Sequence, residues 1–180
     1  DAVARSLRVR AASATIGLVI GDVANPFYSA ITRAVEIRAR RANSVLVAAS
    51  SDEDPDKERE VVEMLLARRV DGLLLVPSRG DHRWLTEEMR RGVHVVSLDR
   101  PCDTLETDTV VFDNAGGAMM AVQHLLDQGF RRIAVVTDNL SISTMSERHR
   151  GYVAALTDAG IEIDPRLVKV GPHDAEAAAA

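Results

Sequence analysis

The 180-residue chain is 46% hydrophobic and 27% charged, enough to bury the core of one domain or of two small ones. Its formal charge of -5 argues against a surface that binds nucleic acid throughout, although Arg5, Arg8 and Arg10 make the opening residues locally basic. The single cysteine, Cys102, rules out an internal disulfide and fits a reducing cytoplasm; no apolar run is long enough to span a membrane, and the opening carries no secretory-signal pattern.

Short β-branched runs alternate with longer runs of helical period. Thr15-Ile16-Gly17-Leu18-Val19-Ile20 reads as a buried strand, and Asn25 before Pro26 reads as the cap and first residue of a helix over 26–42. A strand over 44–49 follows, then a helix from Asp54-Pro55 to residue 69 with Val61, Val62, Leu65 and Leu66 on one face. The pattern continues with a strand over 72–76, a short helix over 83–91, strands over 94–98 and 109–112, and a helix over 114–128 that Gly129 ends. A strand over 132–137, a helix over 146–159 ended by Gly160, a strand over 167–170 and a helix beginning at 175 complete the reading. This alternation predicts an α/β fold of doubly wound parallel sheets, in which ligands bind beyond the carboxyl ends of the strands. The loops at those ends, 21–25, 50–54, 77–81, 99–103, 113–117 and 138–145, are rich in Asp, Asn, Ser and Thr. That composition suits a polyhydroxylated ligand and equally suits ordinary loop tips.

Several side chains at these loops carry two readings each. Phe27 and Tyr28, in a first helical turn, can stack on a sugar ring or a base, or simply staple the helix to the core. Asp113 and Asn114 can grip vicinal hydroxyls or cap the following helix. Gly116-Gly117 has neither phosphate-loop nor dinucleotide spacing and reads as close helix–sheet packing. Arg148 is placed near a helix start, which the helix dipole disfavours, so it needs a partner: a ligand, or an ion pair with Glu147 or Asp138. Enzyme signatures are missing: there is no G-x-S-x-G elbow, Cys102 has no convincing histidine partner, and the histidines at 82, 94, 124, 149 and 173 lack metal-ligand spacing. Neither catalysis nor a metal or cofactor is expected, although an enzyme on a doubly wound fold is one alternative.

Ordered blocks then carry a resemblance. Asp1-Ala2-Val3-Ala4-Arg5-Ser6-Leu7-Arg8 ahead of Thr15-Ile16-Gly17-Leu18-Val19, N-P-F-Y at 25–28, V-D-G-L-L-L at 70–75 and V-V-S-L-D-R-P at 95–101 lie in one order. V-F-D-N-A-G-G-A at 111–118, H-L-L-D-Q-G-F-R-R-I-A at 124–134 and E-R-H-R-G-Y at 147–152 follow. Together they resemble the lactose/galactose (LacI/GalR) repressor family over essentially the whole chain. The resemblance implies a type I periplasmic-binding-protein-like core of two subdomains: a hinge-helix and linker over 1–14, an N-terminal subdomain over 15–129, and an incomplete second subdomain over 130–180. It implies that effector contacts fall on Phe27, Tyr28, Asp113 and Arg148, and also on Asp22, Asp99, Ser143 and Thr144. It implies that Arg5, Ser6, Leu7 and Arg8 form a hinge helix whose leucine wedges into the minor groove of operator DNA, below a helix-turn-helix head that would precede Asp1. A cytoplasmic homodimer without catalytic activity follows, its effector (a sugar or similar small molecule) changing the angle between subdomains. The alternative on the same fold is a sugar-binding protein of a transport system.

Overall fold

A computed structural model of the chain describes residues 14–171. It divides into two compact units, Asp1–Val111 and Phe112–Ala180.

In the first unit, β1 (Thr15–Ile20), β2 (Val45–Ser50), β3 (Gly72–Leu75), β4 (His94–Asp99) and β5 (Asp108–Val111) form one sheet in the order β2-β1-β3-β4-β5. Every pairing is parallel. The chain winds from β1 out to β2, then recrosses to β3 on the other side, so the winding reverses between β1 and β3. In an open sheet the crevice lies at such a reversal. Helix α1 (Pro26–Arg41) starts where expected, because Pro26 needs no amide partner and the Asn25 side chain accepts from Phe27 N at 3.0 Å. Its last turn carries Arg38, Arg40 and Arg41, which complement the negative end of the helix dipole. Helix α2 (Pro55–Ala67) repeats the device with Asp54 as cap. A 3-10 turn (Arg83–Leu85) leads into the short α3 (Thr86–Arg90).

Strand alternation sorts the core into two layers. Val19, Leu73, Leu75 and Val95 pack with Val61, Val62 and Leu65 of α2 and with Leu85. Leu18 and Ile20 point to the other face, where they meet Tyr28, Ile31 and Val35 of α1. The sheet is therefore doubly wound, with α1 on one face and α2 on the other.

The second unit contains α4 (Asn114–Asp127), β6 (Val135–Thr137), α5 (Ser143–Asp158), a 3-10 turn (Pro165–Leu167) and β7 (Val168–Val170). Strands β6 and β7 pair in parallel. Val122, Leu126, Ile133, Tyr152, Ala155 and Leu156 form its core, and the Tyr152 hydroxyl donates to Ile133 O at 2.9 Å.

Three expectations change, and α4 and α5 lie within one compact unit. Their backbones nearly touch at Gly151, where an added Cβ would lie 2.1 Å from Ala115 O. Gly116-Gly117 is not the close packing point: Gly116 leaves room for the Asp113 carboxylate, and Gly117 faces open space. Helix α5 begins at Ser143 instead of 146, which moves Ser143 and Thr144 from a loop into its first turn and Arg148 into its second. Strand β6 begins at Val135, three residues later than expected, since Arg131 turns back to cap the carbonyl of Leu126 at 2.9 Å. The helix expected from 175 lies outside the described residues, as do Arg5, Ser6, Leu7 and Arg8.

Candidate functional site

The carboxyl edge of the five-stranded sheet is where the first unit concentrates its polar chemistry. The ring of Tyr28 is core, only 5% exposed, so the bland reading holds for its aromatic face. Its hydroxyl, however, ends in a charged network. Arg100 Nη2 donates to Tyr28 Oη at 2.8 Å and to Glu53 Oε1 at 2.6 Å, and Tyr28 Oη lies 3.4 Å from Asp99 Oδ2. Arg100 Nε and Asp99 Oδ2 are 3.6 Å apart. Burial raises the pKa of the Tyr28 hydroxyl well above its ordinary value, with Arg100 pulling partly the other way. The tyrosine is thus a neutral hydrogen-bonding group at any working pH.

Three residues of this edge, Asp52, Glu53 and Asp99, adopt left-handed backbone conformations at φ of 53°, 58° and 67°. Non-glycine residues held this way cost free energy and persist where surroundings over-determine them. Here the Glu53 carboxylate lies so close over Gly21 that a Cβ there would meet Glu53 Oε1 at 2.1 Å. Phe27 stands edge-on to Tyr28, ring centroids 5.2 Å apart, and stays 36% exposed. Asp22 is exposed and closes its own loop by accepting from Ala24 N at 2.8 Å. The sequence reading therefore placed Asp22, Phe27, Tyr28 and Asp99 at one edge of one unit. It missed Glu53, whose role depends on a contact across 47 positions of chain.

The second unit holds the others. Asp113 caps α4, accepting from Gly116 N at 2.7 Å, so the capping reading holds for this residue while its side chain remains exposed. Asn114 is buried and its Oδ1 accepts from Arg148 Nε at 2.8 Å. Arg148 thus finds its partner in an amide, and Glu147 pairs with Arg150 at 3.7 Å. A cavity of about 580 Å³ opens beside them, lined by Asp113, Asn114, Arg148, Thr137 and the apolar side chains of Val122 and Leu125. Thr144 is buried at the first turn of α5, beside half-buried Ser143.

One cluster contradicts the reading that Cys102 lacks a histidine. The thiol neighbours the His82 ring, whose Nε2 lies 2.7 Å from Glu58 Oε1. Sequence spacing could not find it, because the three groups come from three separate segments. Among the described residues, no group of three His, Cys, Asp or Glu is placed to hold a metal ion. No described helix is long and apolar enough to cross a membrane.

Residues 13–180 match the family of periplasmic binding proteins and the sugar-binding domain of the LacI family. The chain is 34% identical over 174 residues to the HTH-type transcriptional regulator GalR of Salmonella typhimurium, covering 97% of this chain and 51% of that protein. Among solved structures it is similar to the transcription regulator CcpA of Lactococcus lactis, with a TM-score of 0.79 and 30% identity over 91% of this chain and 60% of that one. It is also similar to the Cra transcriptional dual regulator of Pseudomonas putida in complex with fructose 1-phosphate, with a TM-score of 0.79 and 28% identity over 87% of this chain and 57% of that one. The chain spans about half the length of the curated relatives it matches. With a parallel α/β fold, polar carboxyl-edge loops and a match over nearly its full length, the chain belongs to the family of periplasmic binding proteins and LacI-type sugar-binding domains.

Proposed function

We propose that this chain is the effector-sensing core of a LacI/GalR-type transcriptional regulator, which takes a sugar or similar small molecule and alters operator binding by reorienting its subdomains. The observation that carries this reading is the likeness to DNA-binding regulators along almost the whole chain. The solved complex with fructose 1-phosphate supports a carbohydrate-like effector.

In this reading Phe27 offers an aromatic face to the C–H side of a sugar ring, with Tyr28, Asp22 and Asp99 supplying hydrogen-bonding groups near it. Asp113, Arg148, Ser143 and Thr144 supply the contacts of the second unit, Arg148 held in place by Asn114. A guanidinium so fixed keeps free N–H groups in a planar fork suited to ring and hydroxyl oxygens. Arg5, Ser6, Leu7 and Arg8 would form the hinge helix on operator DNA, and two copies would act as a cytoplasmic homodimer. The role is binding without catalysis. A subdomain boundary near 129, as the sequence blocks imply, would leave α4 with the first subdomain; the compactness of α4 with α5 favours placing it with the second.

The test uses the intact gene product. A thermal-shift panel of neutral sugars, sugar phosphates and nucleobases should show one class raising the melting temperature by mass action. A gel shift on the gene's own promoter should respond to that same compound. A protein that binds a sugar but never shifts promoter DNA would favour the transport-type alternative; one that turns the sugar over would favour an enzyme.

A further inference from the structure

The candidate effector side chains of the first unit gather at the carboxyl edge of its sheet, but the chain enters that sheet at the opposite, amino edge. Strand β1 joins the two edges. It is six residues long, about 20 Å, and lies between β2 and β3. Leu18, Val19 and Ile20 are almost wholly buried, Val19 packing with α2 and the other two with α1. At its carboxyl end the loop after β2 grips the strand: Ser51 N donates to Ile20 O at 2.8 Å, and Glu53 N donates to Gly21 O at 3.1 Å.

The amino end is held by a different device. The β1–β3 ladder starts at the pair Ile16 and Gly72, one residue short of the start of β1. Asp71 supplies what the ladder lacks. Its backbone N–H donates to Thr15 O at 2.8 Å, and its carboxylate Oδ2 accepts the Thr15 N–H at 2.7 Å. Both polar backbone groups of Thr15 thus go to one residue 56 positions along the chain. On the other side Val45 N, at the start of β2, donates to Ala14 O at 2.8 Å. The entry is therefore fixed from both neighbouring strands. The Asp71 carboxylate is exposed and, among the described residues, pairs with no cation, so the Thr15 amide is what it holds. This bond lies outside both core layers, and its loss removes no packing. What it fixes is the direction in which the preceding chain meets the sheet.

We propose that Asp71 is a positioning residue, which sets where the chain ahead of β1 leaves the first sheet so that this chain meets DNA already oriented. The anchoring rests on the hydrogen bonds alone. Its bearing on DNA rests on the proposed function, in which Arg5, Ser6, Leu7 and Arg8 meet the operator. Six positions separate Arg8 from Ala14, so Arg8 lies within about 22 Å of the anchor. A segment anchored at its exit surrenders less conformational freedom on binding than one that swings from Ile16.

The test uses the intact gene product and its variants Asp71→Ala and Asp71→Asn. Amide hydrogen exchange is followed at Thr15 and Leu18, and binding to a fragment of the gene's own promoter is titrated. Asp71→Ala should speed Thr15 exchange by about tenfold or more, as loss of one hydrogen bond to a charged group implies, and leave Leu18 unchanged. It should also weaken promoter binding severalfold. Asp71→Asn, which keeps a carbonyl oxygen for the amide, should recover most of both. Unchanged Thr15 exchange in the alanine variant, or faster exchange with undiminished promoter binding, overturns the proposal. Matching loss of protection at Leu18 overturns it too, since that means a damaged sheet and not a freed entry. Wild-type protein that ignores promoter DNA overturns the proposed function and the DNA-side role together; Thr15 exchange then still decides the anchor.

Discussion

The two units follow one building rule and reach different degrees of burial. In the first, the central strands β1, β3 and β4 are covered and Leu18, Val19 and Leu75 are wholly buried, while the edge strand β5 leaves Val110 and Val111 exposed. In the second, β6 and β7 have only each other as strand partners among the described residues, and Val136 and Val170 remain 63% and 48% exposed. A β-branched strand is buried only when a layer covers each of its faces. The units also specify themselves differently. The first buries charge, in the Arg100–Glu53–Asp99–Tyr28 network and the Glu58–His82 pair. The second relies on close backbone approach at Gly151 and one tyrosine hydroxyl bonded to a carbonyl.

This contrast can be broken by mutation, and the largest effect is expected in the complete sheet. Leu75→Ala should cost ~2–5 kcal/mol in denaturant unfolding, because it leaves a cavity in a covered layer. Val136→Ala should stay within ~0.5 kcal/mol, since its side chain is already solvated; equal costs would mean the two sheets are equally covered. Next in size is Gly151→Val, whose side chain must displace the Ala115 carbonyl and should destabilise the second unit by ~1–3 kcal/mol or more. Gly117→Ala, with nothing within 4 Å, should stabilise α4 by ~0.5–1 kcal/mol. Opposite signs for these two glycines on one helix pair would confirm where the backbones meet; like signs would remove that claim. Asn25→Ala should cost ~1 kcal/mol by freeing the Phe27 amide at the start of α1, and Asn25→Gly only a few tenths. For binding, Arg148→Met in the intact protein should weaken the effector-induced thermal shift by about tenfold or more in apparent affinity, as loss of an anchoring arginine commonly does. Asn114→Ala should produce a smaller loss in the same direction, because it frees Arg148 without removing it; an unaltered shift in both variants would place the effector elsewhere.

Much of this molecule was legible from local signals. Asn25-Pro26 and Asp54-Pro55 fix two helix starts because cap chemistry and proline's missing N–H act within four residues. Alternation in Thr15–Ile20 fixes a strand because its two faces meet different layers. Errors gathered where a short-range signal competes with a distant contact. Gly116-Gly117 looked like packing and is partly cap geometry, while the packing glycine, Gly151, sits in an unremarkable R-G-Y stretch. Arg148 looked terminal because Ser143 and Thr144 read as loop residues, yet with Ile142 extended as the cap they begin α5.

By itself the amino-acid order determined the strand–helix succession, the parallel α/β class and the polar character of the carboxyl-edge loops, since all three arise from periodicity and from residues a few places apart. Only tertiary structure decided that Glu53 reaches Arg100, that Glu58 meets His82 and Cys102, and that α4 joins α5. Those outcomes depend on which distant groups share a low-dielectric interior, where a charge must find its partner or not be buried at all.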